Sequence, residues 1–211
     1  MLDILFADSH VVVCLKPSGV LSQDAGEGSM PDLLKKQLSV AEVYTIHRLD
    51  REVGGVMVYA LNQKSAASLS RAVQERKLEK QYLAVLRGVP EKQADTLEDL
   101  LYHDKTRNKT YVVKRIRKGV KDAKLDYQVC AISENRAMVR VSLHTGRTHQ
   151  IRVQFASRSL PLVGDGKYGG KEPGVSLGLW SCRLAFPHPV TGKNMVFEHQ
   201  PPEAEPWMQF T

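Results

Sequence analysis

Between residues 47 and 60 the chain sets one carboxylate among cations and then runs into an apolar stretch. His47-Arg48-Leu49-Asp50 is followed by Arg51 to Val53, by Gly54 and Gly55, and by Val56-Met57-Val58-Tyr59-Ala60. A short apolar run behind two glycines reads as a buried strand. Asp50 therefore stands beside a core, where an unpaired charge is costly and is usually kept only when function needs it. A plainer reading stands next to the chemical one: Asp50 opens a turn, or forms an ion pair with Arg48 or Arg51, as acids in structural networks do.

The segments around this one predict a mixed α+β chain dominated by antiparallel strands, organised as a single domain over 1–211. Leu5-Phe6 and Val11 to Leu15 read as paired strands, with a turn at Pro17-Ser18-Gly19. Pro31 fits the first turn of a short helix through Leu38. Asn62 suits the N-cap of a helix whose Ala66, Leu69, Ala72 and Val73 share one face, a face expected to pack on the sheet. Residues 82–86 read as a further strand, and 124–132 with 136–143 as a long antiparallel pair. Residues 150–155 alternate like a strand, yet Ile151 and Phe155 also allow a helix, and the pattern alone leaves both open.

Charge is concentrated. The chain has 30 basic and 23 acidic residues, a net charge of +7. Residues 105 to 124 hold nine of the basic residues and one acid, a local 9 − 1 = +8, which leaves 21 − 22 = −1 for the rest. This patch (Lys105, Arg107, Lys109, Lys114, Arg115, Arg117, Lys118, Lys121 and Lys124) suits a phosphate backbone, with counterion release supplying affinity. A solvated loop without a partner is the other reading.

Cys14, Cys130 and Cys182 are odd in number and widely spaced, so they are expected to be buried, reduced thiols rather than a disulfide framework or a zinc knuckle. The histidines lack metal-ligand spacing, and the clustered carboxylates that a metal-dependent nuclease needs are missing from the sequence. The opening Met1-Leu2-Asp3-Ile4 carries acid where a signal peptide carries base, and no apolar run is long enough to span a bilayer, so a cytoplasmic protein is expected.

Two further groups of residues bear on chemistry. His144-Thr145-Gly146-Arg147-Thr148-His149-Gln150-Ile151-Arg152 gathers two arginines, two histidines, a glutamine and hydroxyls behind one glycine. Arginines there offer forked donors to phosphate or to a carboxylate such as Asp50. Lys80 and Tyr82, two apart on a strand, share a face. Gly164 to Gly170 is a tight loop without the order of a nucleotide phosphate cradle.

Taken in series, His47 to Asp50, Lys80 to Ala84, Thr145 to Arg152 and Gly164 to Gly169 resemble the RluA family of RNA pseudouridine synthases. Leu15-Lys16-Pro17-Ser18-Gly19 and Leu184-Ala185-Phe186-Pro187-His188-Pro189 extend the resemblance over nearly the full chain. It implies a bifurcated, mainly antiparallel sheet flanked by helices, with a catalytic cleft across it and without the additional N-terminal RNA-binding module of some relatives. The implied reaction breaks the uracil N1–ribose bond and rejoins the base through C5, which calls for no redox cofactor or metal. The resemblance assigns Asp50 as nucleophile, Arg152 as its salt-bridge partner, and Tyr82 as the tyrosine that stacks on the base and is a candidate for taking the ribose C2′ proton. Arg48 fills the gap left by a flipped nucleotide. Arg147 and the patch, including Lys105, Arg107, Lys109, Lys114, Arg115, Arg117 and Lys118, hold phosphates. His47, His149 and Gln150 order the site without taking part in chemistry. The implied partner is ribosomal or transfer RNA, with no membrane and no obligate protein partner. A catalytically silent RNA-binding or RNA-folding protein on the same fold is the alternative.

Overall fold

Closely spaced turn signals divide the apolar runs into short strands. The computed structural model describes residues 1–210. In chain order it contains β1 (Ile4–Ala7), β2 (Val11–Lys16), α1 (Met30–Leu38), β3 (Tyr44–Thr45), β4 (Gly54–Ala60), α2 (Gln63–Gln74), β5 (Glu79–Arg87), β6 (Ala94–Asp104), β7 (Lys109–Val113), β8 (Val120–Ser133), β9 (Arg136–Leu143), α3 (Gln150–Ala156), β10 (Leu179–Pro187), β11 (Asn194–Glu198) and a single 3-10 turn (Met208–Phe210). The class is α+β with a mixed, mainly antiparallel sheet, as the pattern predicts. No helix of the described residues is long and apolar enough to cross a membrane. Two compact units form, one from Met1–Lys80 with Trp180–Pro201, the other from Gln81–Leu179 with Pro202–Thr211.

In the first unit β2 pairs antiparallel with β1 and β4, β3 pairs with β4, and β11 forms a hairpin with β10. The β4–β10 pairing is parallel and joins Gly54 to Trp180 and Gly55 to Ser181. The two glycines have a steric reason: a Cβ on Gly54 would meet the Trp180 ring, and one on Gly55 would meet the Ser181 backbone. Alternation along the strands then sorts the side chains. Val11, Val13, Leu15, Val56, Val58 and Ala60 form one core with Leu69, Leu184 and Phe186, and α2 lays Ala66, Leu69 and Val73 on it. Each fully buried aliphatic side chain contributes about 1.5–3 kcal/mol. Asn62 caps α2 by accepting the Ser65 N–H at 2.9 Å, as its sequence position predicts. The other face of β2 and β4 carries Val12, Cys14, Lys16, Met57 and Tyr59, all buried too.

The second unit is an antiparallel series in which β5 pairs with β9, β9 with β8, β8 with β6 and β6 with β7. The register of β8 against β9 shifts between Val129 and Ala131, so Cys130 is the extra residue of a bulge. That corrects the expectation for the thiols: Cys14 and Cys182 are buried, but Cys130 is exposed because a bulged residue leaves the ladder. Burial pushes the Cys14 thiol up to about 12.

Residues 150–155 prove helical. The Val153 N–H reaches the His149 carbonyl at 3.0 Å and the Ser157 N–H reaches that of Val153 at 2.9 Å. Every residue from Gln150 to Phe155 is buried, so the helix has no polar face to reveal its period, which is why the sequence pattern stays ambiguous. Val153 packs with Leu101 and Ala123 of the sheet, and Val112 and Tyr168 lie against them.

Candidate active site

The segment between β3 and β4 carries His47, Arg48 and Asp50, and it is clamped by the loop that follows β2. Lys16 ends β2 on the face away from the aliphatic core, and its ammonium donates to the carbonyls of Pro17 at 2.8 Å, Val20 at 2.6 Å and Arg51 at 2.9 Å. The Gly19 N–H also reaches the Arg51 carbonyl, at 2.9 Å. In return Arg51 Nε donates to the Gly19 carbonyl at 2.8 Å. Ser18 Oγ donates to the Glu52 carbonyl at 2.8 Å, and Ser22 Oγ to that of Leu49 at 2.9 Å. Arg48 Nη1 donates to Gln23 Oε1 at 3.0 Å. From the sheet, Tyr59 donates its hydroxyl proton to the Ser22 carbonyl at 2.8 Å.

Four of the residues around Asp50 are thus tied to residues 16–23, and the Val53 N–H closes a turn on the Asp50 carbonyl at 3.0 Å. Asp50 thus opens a turn, as the plainer reading has it, while Arg48 and Arg51 direct side-chain bonds to Gln23 and Gly19. Burial draws the Lys16 ammonium down to about 8, against the opposing pull of the Glu52 and Asp50 carboxylates.

His47 anchors the other end. Its Nε2 accepts the Val58 N–H at 3.3 Å, so the ring extends the edge of β4 beyond β3. Burial, with the Lys80 ammonium adding, holds this histidine down to about 3, and it stays neutral. Its buried Nδ1 has no hydrogen-bond partner among the described residues.

In the second unit Tyr82 lies on β5 opposite Val141 of β9 and is buried. The loop from 144 to 149 is pinned by Gln150, whose Oε1 accepts the Thr145 hydroxyl at 2.9 Å and the Arg147 N–H at 3.0 Å. Its amide donates to the Lys124 carbonyl at 3.1 Å. His149, with φ at 55°, sits in the left-handed region as it enters α3, a conformation that a non-glycine residue adopts where its surroundings impose it. Arg147 Nε donates to the Asp122 carbonyl at 2.8 Å.

Arg152 is buried and binds the buried Asp165 through two parallel bonds, Nε to Oδ2 at 2.7 Å and Nη2 to Oδ1 at 2.8 Å. The same carboxylate accepts the N–H groups of Lys167 at 3.0 Å and Tyr168 at 3.1 Å, which shapes the Gly164–Gly170 loop as an Asx turn.

The basic segment is half strand and half loop: it spans the β6–β7 turn, β7, the loop between β7 and β8, and the start of β8. Lys105, Lys114, Arg115, Lys118 and Lys121 have no carboxylate within 4.0 Å among the described residues. Lys124 is different, with Glu98 at 2.6 Å, and Arg107 lies 3.9 Å from Asp104. Arg117 folds over the Tyr102 ring at 4.8 Å. No three His, Cys, Asp or Glu side chains among the described residues are grouped to hold a metal ion.

Sequence reasoning gave no role to Lys16, Ser22, Gln23, Asp165 or Tyr168. Asp165 had a local signal, an acid followed by amides two and three residues on in a glycine-rich loop. Lys16 had none, since its partners lie up to 35 positions away.

Residues 10–157 match the model of the RNA pseudouridylate synthase family. The chain belongs to this family, whose members are isomerases. It is 35% identical to an uncharacterized RNA pseudouridine synthase of Aquifex aeolicus, over 96% of this chain and 70% of that protein. It is 33% identical to the ribosomal large subunit pseudouridine synthase D of a serogroup B Neisseria meningitidis strain, over 93% of this chain and 57% of that protein. Among solved structures, human RNA pseudouridylate synthase domain containing 1 superposes with a TM-score of 0.82 at 23% identity, over 97% of this chain and 85% of that one. Human RNA pseudouridylate synthase domain containing 4 gives 0.79 at 24%, over 95% and 88%. At that identity the two structures speak to the fold alone.

Proposed function

We propose that residues 1–211 act as one catalytic domain that converts a specific uridine of ribosomal or transfer RNA to pseudouridine in the cytoplasm, without a cofactor or an obligate protein partner. The observation that carries this reading is the mounting of Asp50. The acid that matches the family's nucleophile lies in a turn whose neighbours Arg48, Leu49, Arg51 and Glu52 are each bonded to residues 16–23, the supported placement that positional chemistry requires.

Asp50 attacks C1′ or stabilises the sugar as the N1–C1′ bond breaks, and Arg152 is its charge partner. The freed uracil turns, C5 bonds to C1′ and releases its proton, and N1 takes one up. Tyr82 stacks on the base and is the candidate for taking the C2′ proton and giving it back as C5 joins C1′. Arg48 fills the place of the everted nucleotide, and its exposed bond to Gln23 is easily exchanged for one to RNA. Arg147 and the patch residues Lys105, Arg107, Lys109, Lys114, Arg115, Arg117 and Lys118 contact phosphates, which the lack of internal carboxylate partners for several of them supports.

Release of tritium from RNA labelled at uridine C5 tests the reaction directly. A folded protein that releases none from any cellular RNA defeats the proposal. Retention of activity by Asp50→Asn would defeat the assigned chemistry, and an inactive wild type that still binds RNA would favour the catalytically silent reading.

A further inference from the structure

Tyr168 stands where the basic hairpin meets the arginine of α3. Its oxygen accepts the N–H of Thr110, next to Lys109 on β7, at 2.8 Å. His149 Nδ1 lies 2.9 Å from the same oxygen. One hydrogen joins the two groups, carried by the phenol or by the ring nitrogen according to the histidine tautomer. Burial raises the phenol above its ordinary range, so it remains protonated at neutral pH.

A second chain of bonds runs alongside. Thr110 Oγ1 donates to the Thr148 carbonyl at 2.8 Å, so His103 Nδ1, 3.0 Å from that hydroxyl, is its donor. Thr110 is buried, and its backbone N–H, used on Tyr168, is unavailable to the β6 ladder. Edge strand β7 is therefore fastened to the start of α3 at two points.

Charge converges on the same ring. The Arg152 guanidinium and the Lys109 ammonium each lie 5.3 Å from the Tyr168 centroid, within cation–π range. The Tyr168 N–H and Arg152 Nη2 share one oxygen, Asp165 Oδ1. A phosphate drawing Lys109 away would change the field on the ring and the pull on Thr110. Both changes reach Arg152 through one rigid side chain.

We infer that Tyr168 is a positioning residue that couples RNA engagement by the β6–β7 hairpin to the setting of Arg152. This rests on the reading of the chain as an RNA uridine isomerase. The coupling is an energy shared between two sites, so it must be visible as non-additivity.

The test is a double-mutant cycle of Tyr168→Phe and Lys109→Met with a labelled RNA substrate, reading kcat and KM separately. Tyr168→Phe keeps the ring and loses both hydroxyl bonds. It should lower kcat about 10-fold while KM shifts less than about twofold and the melting temperature accounts for none of the loss. Lys109→Met should raise KM and lower kcat at saturating RNA in the wild-type background, and only raise KM when Tyr168 is already Phe. Unchanged kcat in Tyr168→Phe, or kcat effects that simply multiply, overturns the inference. If Tyr168→Phe does not fold, Lys109→Met alone decides: an effect on KM only overturns it, and a loss of kcat at saturation supports it. Failure of the underlying reading is distinguishable, because the wild type would then release no tritium at all.

Discussion

The turn around Asp50 and the hairpin from 105 to 121 are both rich in charge, and they treat it oppositely. Around Asp50 the polar groups are bonded inward: Lys16 donates to three carbonyls, and Arg48 and Arg51 also bond within the unit. Along the hairpin Lys105, Lys114, Arg115, Lys118 and Lys121 point at no carboxylate within 4.0 Å among the described residues. A buried donor without a partner costs about 1–3 kcal/mol, so the buried Lys16 ammonium is held by three carbonyls, while Arg48 and Arg51 make their bonds at the surface. An exposed cation bears little such cost and stays available to a polyanion. Preorganisation and availability are thus assigned to different stretches of one chain.

The strongest way to break this contrast is Asp50→Asn. It should lower turnover in single-turnover tritium release by about 10⁴-fold, with RNA affinity in filter binding left within about twofold. Surviving turnover would mean that the clamped turn serves something other than chemistry.

Asp165→Asn probes inward satisfaction in the second unit. This buried carboxylate takes both arms of Arg152 and two backbone amides. Denaturant unfolding should show a loss of about 3–5 kcal/mol. A loss below about 1 kcal/mol would show that Arg152 finds its support elsewhere.

A pH series sharpens the comparison further. His47 titrates near 6.5 in the unfolded chain and is held down to about 3 in the folded one. Between those values the unfolded chain binds a proton that the folded protein refuses, so stability falls as pH drops through that window. The slope from this group is at most about 1.4 kcal/mol per pH unit. His47→Gln keeps an acceptor for the Val58 N–H and removes the titration, and its acid limb should be shallower by that amount. Identical limbs would show that the ring is not neutral in the fold.

The smallest effect belongs to the open region. Lys114→Ala with Arg115→Ala should weaken RNA binding about 10-fold near 0.1 M salt and reduce the slope of log affinity against log salt by about 1 to 2. Melting temperature should stay within about 1 °C of the wild type. An unchanged slope would return the patch to the role of a solvated surface.

Much of this was legible beforehand. Val11 to Leu15 and Val56 to Ala60 show their strands by composition, Asn62 shows the start of α2, and the resemblance carried by the motifs from Lys16 to Pro189 agrees with the family that residues 10–157 match. These signals are local, or are ordered words along the chain, and period and capping chemistry suffice to read them. The helical state of 150–156 was not legible, because a helix buried on all sides loses its polar face. Nor was the exposure of Cys130, which depends on a bulge in the register of two strands.

What the tertiary structure alone decided is where buried donors find their acceptors. Lys16 meets the Arg51 carbonyl 35 residues away, and Arg152 meets Asp165 across 13. Thr110 meets Tyr168 across 58. The sequence determined which groups must be satisfied, since lysine, arginine and amide donors cannot be left dry. Which oxygen satisfies each depends on chain closure over distances that no residue pattern encodes, so it emerges only when the sheet has brought those segments together.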